Sequence, residues 1–341
     1  MREKKTTLSD GDPVPSLERS GRDDASRPGQ PLRSAVPAPR KPGAAVQGHP
    51  LAARGEPMAG VRPRYAGPHP RRKRFGQHFL HDPTVLERIV DAIGPGADDR
   101  LVEIGPGRGA LTRLLLSRLS SGAGNGALDA IEIDRDLVAL LHDELPPATY
   151  PRFAIHEVDA LQFDFTRLAA ERGGRLRVVG NLPYNISTPL LFHLLEHTGA
   201  IEDVHVMLQK EVVARMAAQP DDDDYGRLTV MLSPWVTVEH LFDVGPGAFS
   251  PPPRVWSAVV RLIMRPEPAF DISPHFGRVV AAAFSHRRKT LRNALRGVVS
   301  LEQIERCGLN SGARPETLAP KAFNDLAKTL TEGSSDEGSS D

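Results

Sequence analysis

The chain of 341 residues carries 43 acidic and 43 basic side chains, and 40% of its residues are apolar. This composition is typical of a globular protein with a sizeable core, and the length predicts about two domains. The single cysteine, Cys307, excludes an internal disulfide and favours a reducing compartment, the cytoplasm. The longest apolar runs fall far short of the roughly 20 residues that a membrane helix needs, so we expect no membrane contact.

The charges are distributed unevenly along the chain. Residues 1–74 carry 16 basic and 7 acidic residues, so the rest of the chain is net acidic. Residues 1–72 are rich in proline and contain one aromatic residue, Tyr65, which predicts a disordered basic tail. This tail could be a solvated linker, an electrostatic arm for a polyanion, or an over-extended gene start with Met58 as the true one. Residues 332–341 are predicted to form a disordered acidic tail.

Between the tails, short apolar runs alternate with helical spacing, which predicts an α/β fold with a parallel sheet covered on both faces. Asp82 and Pro83 are start signals for a first helix. The predicted strands are Leu101–Gly105, Ala127–Ile133, Phe153–Val158, Leu176–Gly180 and Val204–Leu208, and the predicted helices are Ala110–Leu119, Asp136–Leu145, Pro189–His197 and Glu211–Gln219. Two later runs, Leu228–Val238 and Val255–Ile263, are rich in β-formers, and helical spacing begins at Pro274.

A glycine-rich segment, Glu103–Gly109, follows the first predicted strand and opens a helix, where glycines allow a ligand to approach the backbone. Gly105, Gly107 and Gly109 are spaced G-x-G-x-G, whereas a dinucleotide fingerprint has the spacing G-x-G-x-x-G. This difference disfavours a NAD-dependent oxidoreductase. The variant is similar to the first motif of S-adenosylmethionine-dependent methyltransferases, and a plain glycine-rich turn is the alternative.

Carboxylates follow the second and third predicted strands. Glu132 could accept both hydroxyls of a nucleoside ribose, and Asp159 could accept from an adenine amino group beside the small Ala160. Ligands of such folds bind at the carboxyl edge of the sheet, where both residues are expected. Ordinary surface carboxylates are the alternative interpretation.

The most specific motif is Gly180–Asn185, with the sequence GNLPYN, after the fourth predicted strand. It resembles the catalytic motif of methyltransferases that modify conjugated amines, whose nitrogen is a poor nucleophile because its lone pair is delocalised. The side-chain oxygen of Asn181 and the carbonyl of Leu182 could accept the two N–H bonds of such an amine. Pro183 would fix the turn, and Tyr184 would stack on an extruded base. An ordinary βα turn is the alternative.

Further segments complete the pattern of one family. They are Arg74–Leu80, Leu208–Val212, Tyr225–Leu228, Ala248–Pro253, Val255–Val260 and Phe284–Asn293. Together with the motifs above, they closely resemble the small-subunit ribosomal RNA adenine dimethyltransferases, the kasugamycin-sensitivity methyltransferases of bacteria. The resemblance runs from about Lys73 to Leu330 and implies a Rossmann-like methyltransferase domain at 73–268 and a small helical RNA-binding domain at 269–331.

This resemblance implies a reaction and its site. S-adenosylmethionine would dimethylate the 6-amino groups of two adjacent adenosines in the 3′-terminal hairpin of 16S rRNA, coupled to biogenesis of the small subunit. The immature 30S subunit would be the partner of a monomeric enzyme without a metal. The implied cofactor contacts are His78, Leu80, Gly105, Gly107, Glu132, Asp159, Ala160 and Asn181. Phe249 would stack on the target base opposite Tyr184, and a core aromatic residue beside a proline-rich loop is the alternative interpretation.

A basic run near the C-terminus is the candidate RNA contact. Arg287, Arg288, Lys289 and Arg292 lie close together in a net acidic body, which favours a phosphate-binding patch over a solvated face. On a helix, Arg288 and Arg292 would share one face. His193, His197 and His205 have no zinc-like spacing and are interpreted as core or surface residues.

Two other functions remain open. One is a sister enzyme that dimethylates an adenosine of large-subunit rRNA and confers macrolide resistance, although Phe249–Pro253 and Phe284–Asn293 favour the small-subunit enzyme. The other is a ribosome-assembly factor for which methylation is secondary.

Overall fold

The computed structural model describes residues 78–121, 123–286 and 288–332. The predicted tail at 1–72, nearly all of the predicted tail at 332–341, and Arg287 lie outside these residues. Within the described residues, every helix is too short or too polar to cross a membrane.

Nine strands and eleven α-helices make up the described chain. The strands are β1 (Phe79–Leu80), β2 (Arg100–Ile104), β3 (Ala127–Glu132), β4 (Phe153–Glu157), β5 (Leu176–Asn181), β6 (Ile201–Gln209), β7 (Val236–Val244), β8 (Phe249–Ser250) and β9 (Ser257–Met264). The helices are α1 (Pro83–Ile93), α2 (Ala110–Ser120), α3 (Arg135–Glu144), α4 (Phe165–Arg172), α5 (Ser187–Leu195), α6 (Lys210–Ala217), α7 (Arg227–Leu232), α8 (Phe276–Ala283), α9 (Leu291–Ala294), α10 (Leu301–Arg306) and α11 (Pro320–Glu332).

Seven strands form one central sheet in the order β4-β3-β2-β5-β6-β9-β7. Strands β2 to β6 pair in parallel, and β9 runs antiparallel to both β6 and β7. The predicted α/β class with a central parallel sheet is confirmed, and the antiparallel β7–β9 end is an addition. Antiparallel strands such as β7 and β9 can be joined by a short connection, whereas parallel strands such as β2 to β6 need a crossover of a dozen or more residues.

Local signals explain where the first helix begins. The Asp82 side chain caps α1 and accepts hydrogen bonds from the amides of Thr84 (2.9 Å) and Val85 (3.1 Å). Pro83 occupies the first turn, where its missing N–H costs nothing. The apolar face of α1 packs into one of two hydrophobic clusters that cover the sheet, and the other cluster lies around α4 and α5. The predicted start at Asp82 and Pro83 is therefore confirmed.

The β prediction for Leu228–Val238 was partly wrong. Residues Arg227–Leu232 form α7, and only the end of the run enters β7 at Val236. The side-chain hydroxyl of Thr229 accepts a hydrogen bond from the amide of Gly226 (3.2 Å), which helps to close the first turn. A short apolar run does not distinguish a strand from a buried helix, and tertiary packing decided between them here.

The chain after Pro274 is helical, as predicted, and helices α8 to α11 surround a third hydrophobic cluster. This cluster also includes Ala218, Tyr225 and Val230, which precede the predicted domain boundary at 268. The hydroxyl of Tyr225 donates to the carbonyl of Leu318 (2.7 Å) and ties the two segments together. The division into domains at 73–268 and 269–331 therefore stays a prediction.

The basic run does not lie on one helix, so the predicted shared face of Arg288 and Arg292 was wrong. Helix α8 ends at Ala283 and α9 begins only at Leu291, so Arg288 lies in the turn between them. Arg288 and Arg292 are both exposed, but they do not share one face of a continuous helix.

Candidate active site

One large cavity opens at the carboxyl edge of the parallel strands, where sheets of this kind bind ligands. Its volume of about 740 Å³ lies in the range of small-molecule sites. The cavity wall brings together eleven of the twelve residues predicted for cofactor binding and catalysis. They are His78, Leu80, Gly105, Gly107, Glu132, Asp159, Ala160, Asn181, Leu182, Pro183 and Tyr184.

The glycine-rich loop joins β2 to α2 in a backbone conformation that side chains rarely adopt. The φ angles of Gly105, Gly107 and Gly109 are +68°, +57° and +75°. A Cβ atom at Gly107 would lie 3.1 Å from the ring of Phe79, which packs over the loop. The loop therefore needs glycine both for its turn and for the close approach of β1, and it leaves backbone groups facing the cavity.

Glu132 ends β3 with a carboxylate that the surrounding backbone holds in place. One carboxylate oxygen accepts from the amides of Ile133 and Asp134, both at 2.9 Å, and the other lies 3.4 Å from the amide of Gly107. The side chain is buried, and burial raises its pKa. A fixed acceptor at this position suits the hydroxyls of a ribose.

Asp159 and Ala160 form a part of the cavity wall that suits a flat heterocycle. The Asp159 side chain accepts from the amide of Leu161 (3.0 Å) through Oδ1, so this bond leaves Oδ2 for an amino group. Ala160 is buried beside it and adds little bulk. Ile133 also lines the cavity although its side chain is 47% exposed. The sequence analysis did not assign Ile133 to the site. The signal that could have indicated it is its position directly after Glu132, the carboxylate that ends β3.

Glu103, near the end of β2, is a second carboxyl group that sequence reasoning did not assign to the site. It is buried at the cavity, and its Oε2 has no hydrogen-bond partner among the described residues. Burial, together with the nearby Glu132 carboxylate, raises the pKa of Glu103 to about 7. A ligand with a cationic group would supply the missing partner.

The predicted catalytic motif begins at the end of β5 and is held by three contacts. The Asn181 side-chain amide donates to the carbonyl of His78 (3.0 Å), and the backbone amide of Leu182 donates to the carbonyl of Met207 (3.2 Å). The Tyr184 hydroxyl lies 2.7 Å from the hydroxyl of Ser257. Because the nitrogen of the Asn181 amide is engaged, its oxygen is the end left to accept from a substrate.

His78 connects the catalytic motif to the loop between β8 and β9. Its ring stacks on that of Tyr184, with centroids 5.8 Å apart and an interplanar angle of 29°. Its Nδ1 donates to the carbonyl of Pro251 (2.8 Å). One face of Tyr184 therefore packs against the protein, and the opposite face is the one left for a flat ligand.

The position of Phe249 requires a correction. Its ring is only 2% exposed and packs in the hydrophobic cluster that includes Leu80 and Met207, rather than on the cavity wall. The pairing of β8 with β1 places Phe249 opposite Leu80 and holds it there. In this structure Phe249 is the core aromatic residue that the alternative interpretation described, and its ring lies outside the cavity that Tyr184 lines.

Of the remaining predicted residues, the basic ones lie outside the cavity wall, whereas His205 contributes to the wall. Arg288, Lys289 and Arg292 are exposed around the turn between α8 and α9. His205 is buried within β6, and burial lowers its pKa to about 4, which keeps it neutral. In the part of the chain that the structure describes, no group of His, Cys, Asp and Glu residues is arranged to hold a metal ion.

Sequence relatives identify the family to which this site belongs. A family model described as ribosomal RNA adenine dimethylase matches residues 69–332. The chain is 54% identical over 272 residues to the ribosomal RNA small subunit methyltransferase A of Pseudomonas aeruginosa, covering 77% of this chain and 96% of that protein. It is 51% identical over 267 residues to the protein of the same name from Marinobacter nauticus, covering 77% of this chain and 93% of that protein.

Solved structures share the same fold. A dimethyladenosine transferase from Plasmodium falciparum superimposes with a TM-score of 0.64 at 24% identity, over 75% of this chain and 98% of that one. The 23S rRNA methyltransferase ErmE superimposes with a TM-score of 0.56 at 25% identity, over 74% of this chain and 99% of that one. The predicted methyltransferase fold and family are confirmed, and the chain belongs to the ribosomal RNA adenine dimethylase family.

Proposed function

We propose that this protein transfers methyl groups from S-adenosylmethionine to the 6-amino groups of two adjacent adenosines in the 3′-terminal hairpin of 16S rRNA. The observation that carries the proposal is the Asn181–Tyr184 turn on the cavity wall, with the donor end of the Asn181 amide already engaged by His78. An acceptor and an aromatic face are the groups that a planar, weakly nucleophilic amine requires.

The cavity residues fit S-adenosylmethionine. The buried, unpartnered oxygen of Glu103 suits the positive charge of the cofactor. Gly105 and Gly107 would contact the methionine part of the cofactor. Glu132 would accept hydrogen bonds from the ribose hydroxyls, and Asp159 would accept one from the adenine amino group. His78, Leu80 and Ala160 would complete the pocket, and when bound the cofactor supplies an electrophilic methyl group on sulfur.

The residues of the catalytic turn act on the target amine. The Asn181 side-chain oxygen and the Leu182 carbonyl accept hydrogen bonds from the two N–H groups of the target amine. These hydrogen bonds draw electron density toward the nitrogen. Pro183 fixes the direction of that carbonyl, because its ring restricts φ. Tyr184 would stack on the extruded base and so orient its amino nitrogen toward the acceptors of this turn. No strong base is needed, since the methylated nitrogen becomes acidic and then loses its proton to water.

The RNA would extend from this site onto the helical part of the chain. We propose that residues 73–268 form the methyltransferase domain and that residues 269–331 form the RNA-binding domain. Arg287, Arg288, Lys289 and Arg292 would contact phosphates there. The enzyme would act as a monomer on the immature 30S subunit in the cytoplasm.

We propose the small-subunit RNA as the substrate because of the sequence identity between this chain and its relatives. The relatives at 51% and 54% identity are named small subunit methyltransferases, whereas the 23S enzyme is 25% identical. Because both enzymes share the fold of this chain, sequence identity rather than fold carries the choice of substrate.

The test is methyl transfer from labelled S-adenosylmethionine to unmethylated small subunits and, separately, to large-subunit RNA, followed by nucleoside analysis. Dimethyladenosine in the small subunit alone is the expected result. Label in the large-subunit RNA would instead indicate the macrolide-resistance activity.

An Asn181→Ala variant separates catalysis from a role in assembly. We expect it to lose methyl transfer and to bind immature subunits as the unmodified protein does, because Asn181 contacts the amine and no phosphate. If the unmodified protein itself bound subunits without transferring methyl groups, it would be an assembly factor rather than an enzyme.

A further inference from the structure

Trp256 is a large apolar side chain that the structure leaves in solvent beside the candidate active site. It is 55% exposed, and its neighbour Val255 is 44% exposed. The six-membered ring of the indole passes over Gly245, where an added Cβ would lie 3.7 Å from it. The backbone carbonyl of Trp256 accepts from the amide of Lys210 (2.9 Å). Trp256 therefore has a fixed backbone and an indole that is supported on one side and open on the other.

The position of Trp256 relates it to the catalytic turn. Ser257, the next residue, begins β9 and lies within hydrogen-bond distance of the Tyr184 hydroxyl (2.7 Å). Because β9 is antiparallel to β6, its first residue lies at the same edge of the sheet as the end of β5. Two strand spacings, roughly 10 Å in all, separate β9 from β5 at this edge. That separation suits the nucleotide that neighbours a target base.

The charges around Trp256 match a polyanion. Arg254 is exposed two residues before it, and among the described residues no carboxylate pairs with Arg254. The Lys210 side chain is also exposed, although Asp243 partly neutralises it. An exposed aromatic ring beside cationic side chains is the usual surface for stacking the bases of single-stranded RNA. An apolar protein partner would find these flanking charges unfavourable.

From these observations we propose that Trp256 stacks on the RNA base adjacent to the target adenosine and so positions the strand at the active site. This inference rests on the proposed function, because it takes the substrate to be RNA entering at Asn181–Tyr184. Trp256 is a positioning residue: it contacts the substrate strand away from the reacting nitrogen. Arg254 would contact the phosphate next to the stacked base.

Steady-state kinetics on unmethylated small subunits tests the proposal. Trp256→Ala should raise KM for the subunits about tenfold, because stacking on one base typically contributes an affinity of that order. KM for S-adenosylmethionine and kcat should change by less than about twofold, since Trp256 touches neither cofactor nor amine. Trp256→Phe should recover most of the loss. Glu202→Ala is the control, because Glu202 is also exposed but lies at the start of β6, at the opposite edge of the sheet from Trp256.

Fluorescence gives a readout that a merely structural role would not change. The chain has two tryptophans, and the other, Trp235, packs against the core. A synthetic RNA hairpin with two adjacent adenosines in its loop should quench the emission of the unmodified protein. The quenching should disappear in Trp256→Phe, and Trp256→Ala should bind the hairpin about tenfold more weakly.

Two results would overturn the proposal. A fall in kcat with unchanged KM would mean that Trp256 acts on Tyr184 through Ser257. Weaker binding to subunits with unchanged binding to the free hairpin would mean that Trp256 contacts a ribosomal protein. If the unmodified protein methylates nothing, the proposed function fails, while the hairpin affinities and the quenching still decide whether Trp256 stacks on RNA.

Discussion

Glu103 and Glu132 line the same cavity, but their carboxyl groups have different hydrogen-bond environments. Three backbone amides surround the Glu132 carboxylate, whereas Oε2 of Glu103 has no partner among the described residues. Burial raises the pKa of both groups, and for Glu103 the value reaches about 7. Glu103 is thus the residue whose charge state should respond to pH and to the binding of a cation.

The free energy of unfolding of the protein without cofactor should depend on pH because the pKa of Glu103 is raised. The folded state holds a proton on Glu103 that the unfolded chain releases near 4.5, so stability falls as pH rises from 4.5 through 7. The loss attributable to Glu103 is about 3 kcal/mol, and it is fully present above pH 7. The side chain of the Glu103→Gln variant cannot ionise, so the variant should not show this loss of stability. Urea unfolding across this pH range checks the difference, and equal slopes for the two proteins would contradict it.

Glu132 should matter for binding of the cofactor. Glu132→Ala removes the acceptor proposed for the ribose hydroxyls, so we expect the Kd for S-adenosylmethionine to rise at least about tenfold. Isothermal titration calorimetry measures it. Glu157→Ala is a matched control, because Glu157 pairs with Glu132 across β3 and β4 but is exposed. Equal affinity in Glu132→Ala and the unmodified protein would remove Glu132 from the cofactor site.

At the scale of elements, the carboxyl end of β5 presses closely on β2. A Cβ atom at Gly180 would lie 2.4 Å from the carbonyl oxygen of Ile104, and this neighbour is backbone that cannot rotate away. Gly180 therefore allows the two strands to approach at the point where Gly105 and Asn181 follow them. Glycine at this position serves packing between strands and not a turn.

Gly180→Ala should destabilise the fold by about 1–3 kcal/mol, the usual cost of overpacking. It should also lower kcat, because the shift of β5 would displace Asn181. Gly199→Ala is the matched control, since a Cβ there meets nothing within 4 Å and should change stability by less than about 1 kcal/mol. Urea unfolding and methyl-transfer assays check both variants. A Gly180→Ala protein as stable as the control would show that β2 and β5 can separate freely.

At the scale of the whole molecule, a net acidic body must bind an acidic substrate. Arg288, Lys289 and Arg292 are exposed around the turn between α8 and α9, so they are available to phosphates. Other surface cations are already engaged within their own helices. Arg167, Arg306 and Lys321 each pair with a carboxylate four residues away.

Replacing Arg288, Lys289 and Arg292 with glutamine should weaken RNA binding and flatten its dependence on salt. The slope of log Kd against log salt should fall by about 1 for each cation that contacts a phosphate. Neutralising Arg118, Arg135 and Arg167 together is the control, because each pairs with a carboxylate outside the proposed RNA-binding domain, and it should leave the slope unchanged. Filter binding over a range of salt concentrations measures both, and an unaltered slope in the first variant would exclude this turn from the RNA interface.

The sequence by itself determined the family and most of the site. Gly105, Glu132, Asp159 and Asn181 lie at or just beyond the ends of successive parallel strands, and such ends meet at one edge of a sheet. Spacing along the chain was therefore enough to predict which residues meet in space. The start of α1 at Asp82 was predictable for a related reason, since a helix cap acts within a few residues.

Only the tertiary structure decided the features that depend on distant neighbours. Phe249 is buried because β8 pairs with β1, and α7 is helical because Leu232 packs in the cluster around α4 and α5 while Val230 packs in the third cluster. The pKa of Glu103 and the exposure of Trp256 likewise depend on what surrounds them. Burial and desolvation arise from contacts between segments far apart in the chain, whereas motifs and caps arise from residues close together, and this difference in range separates what each source could determine.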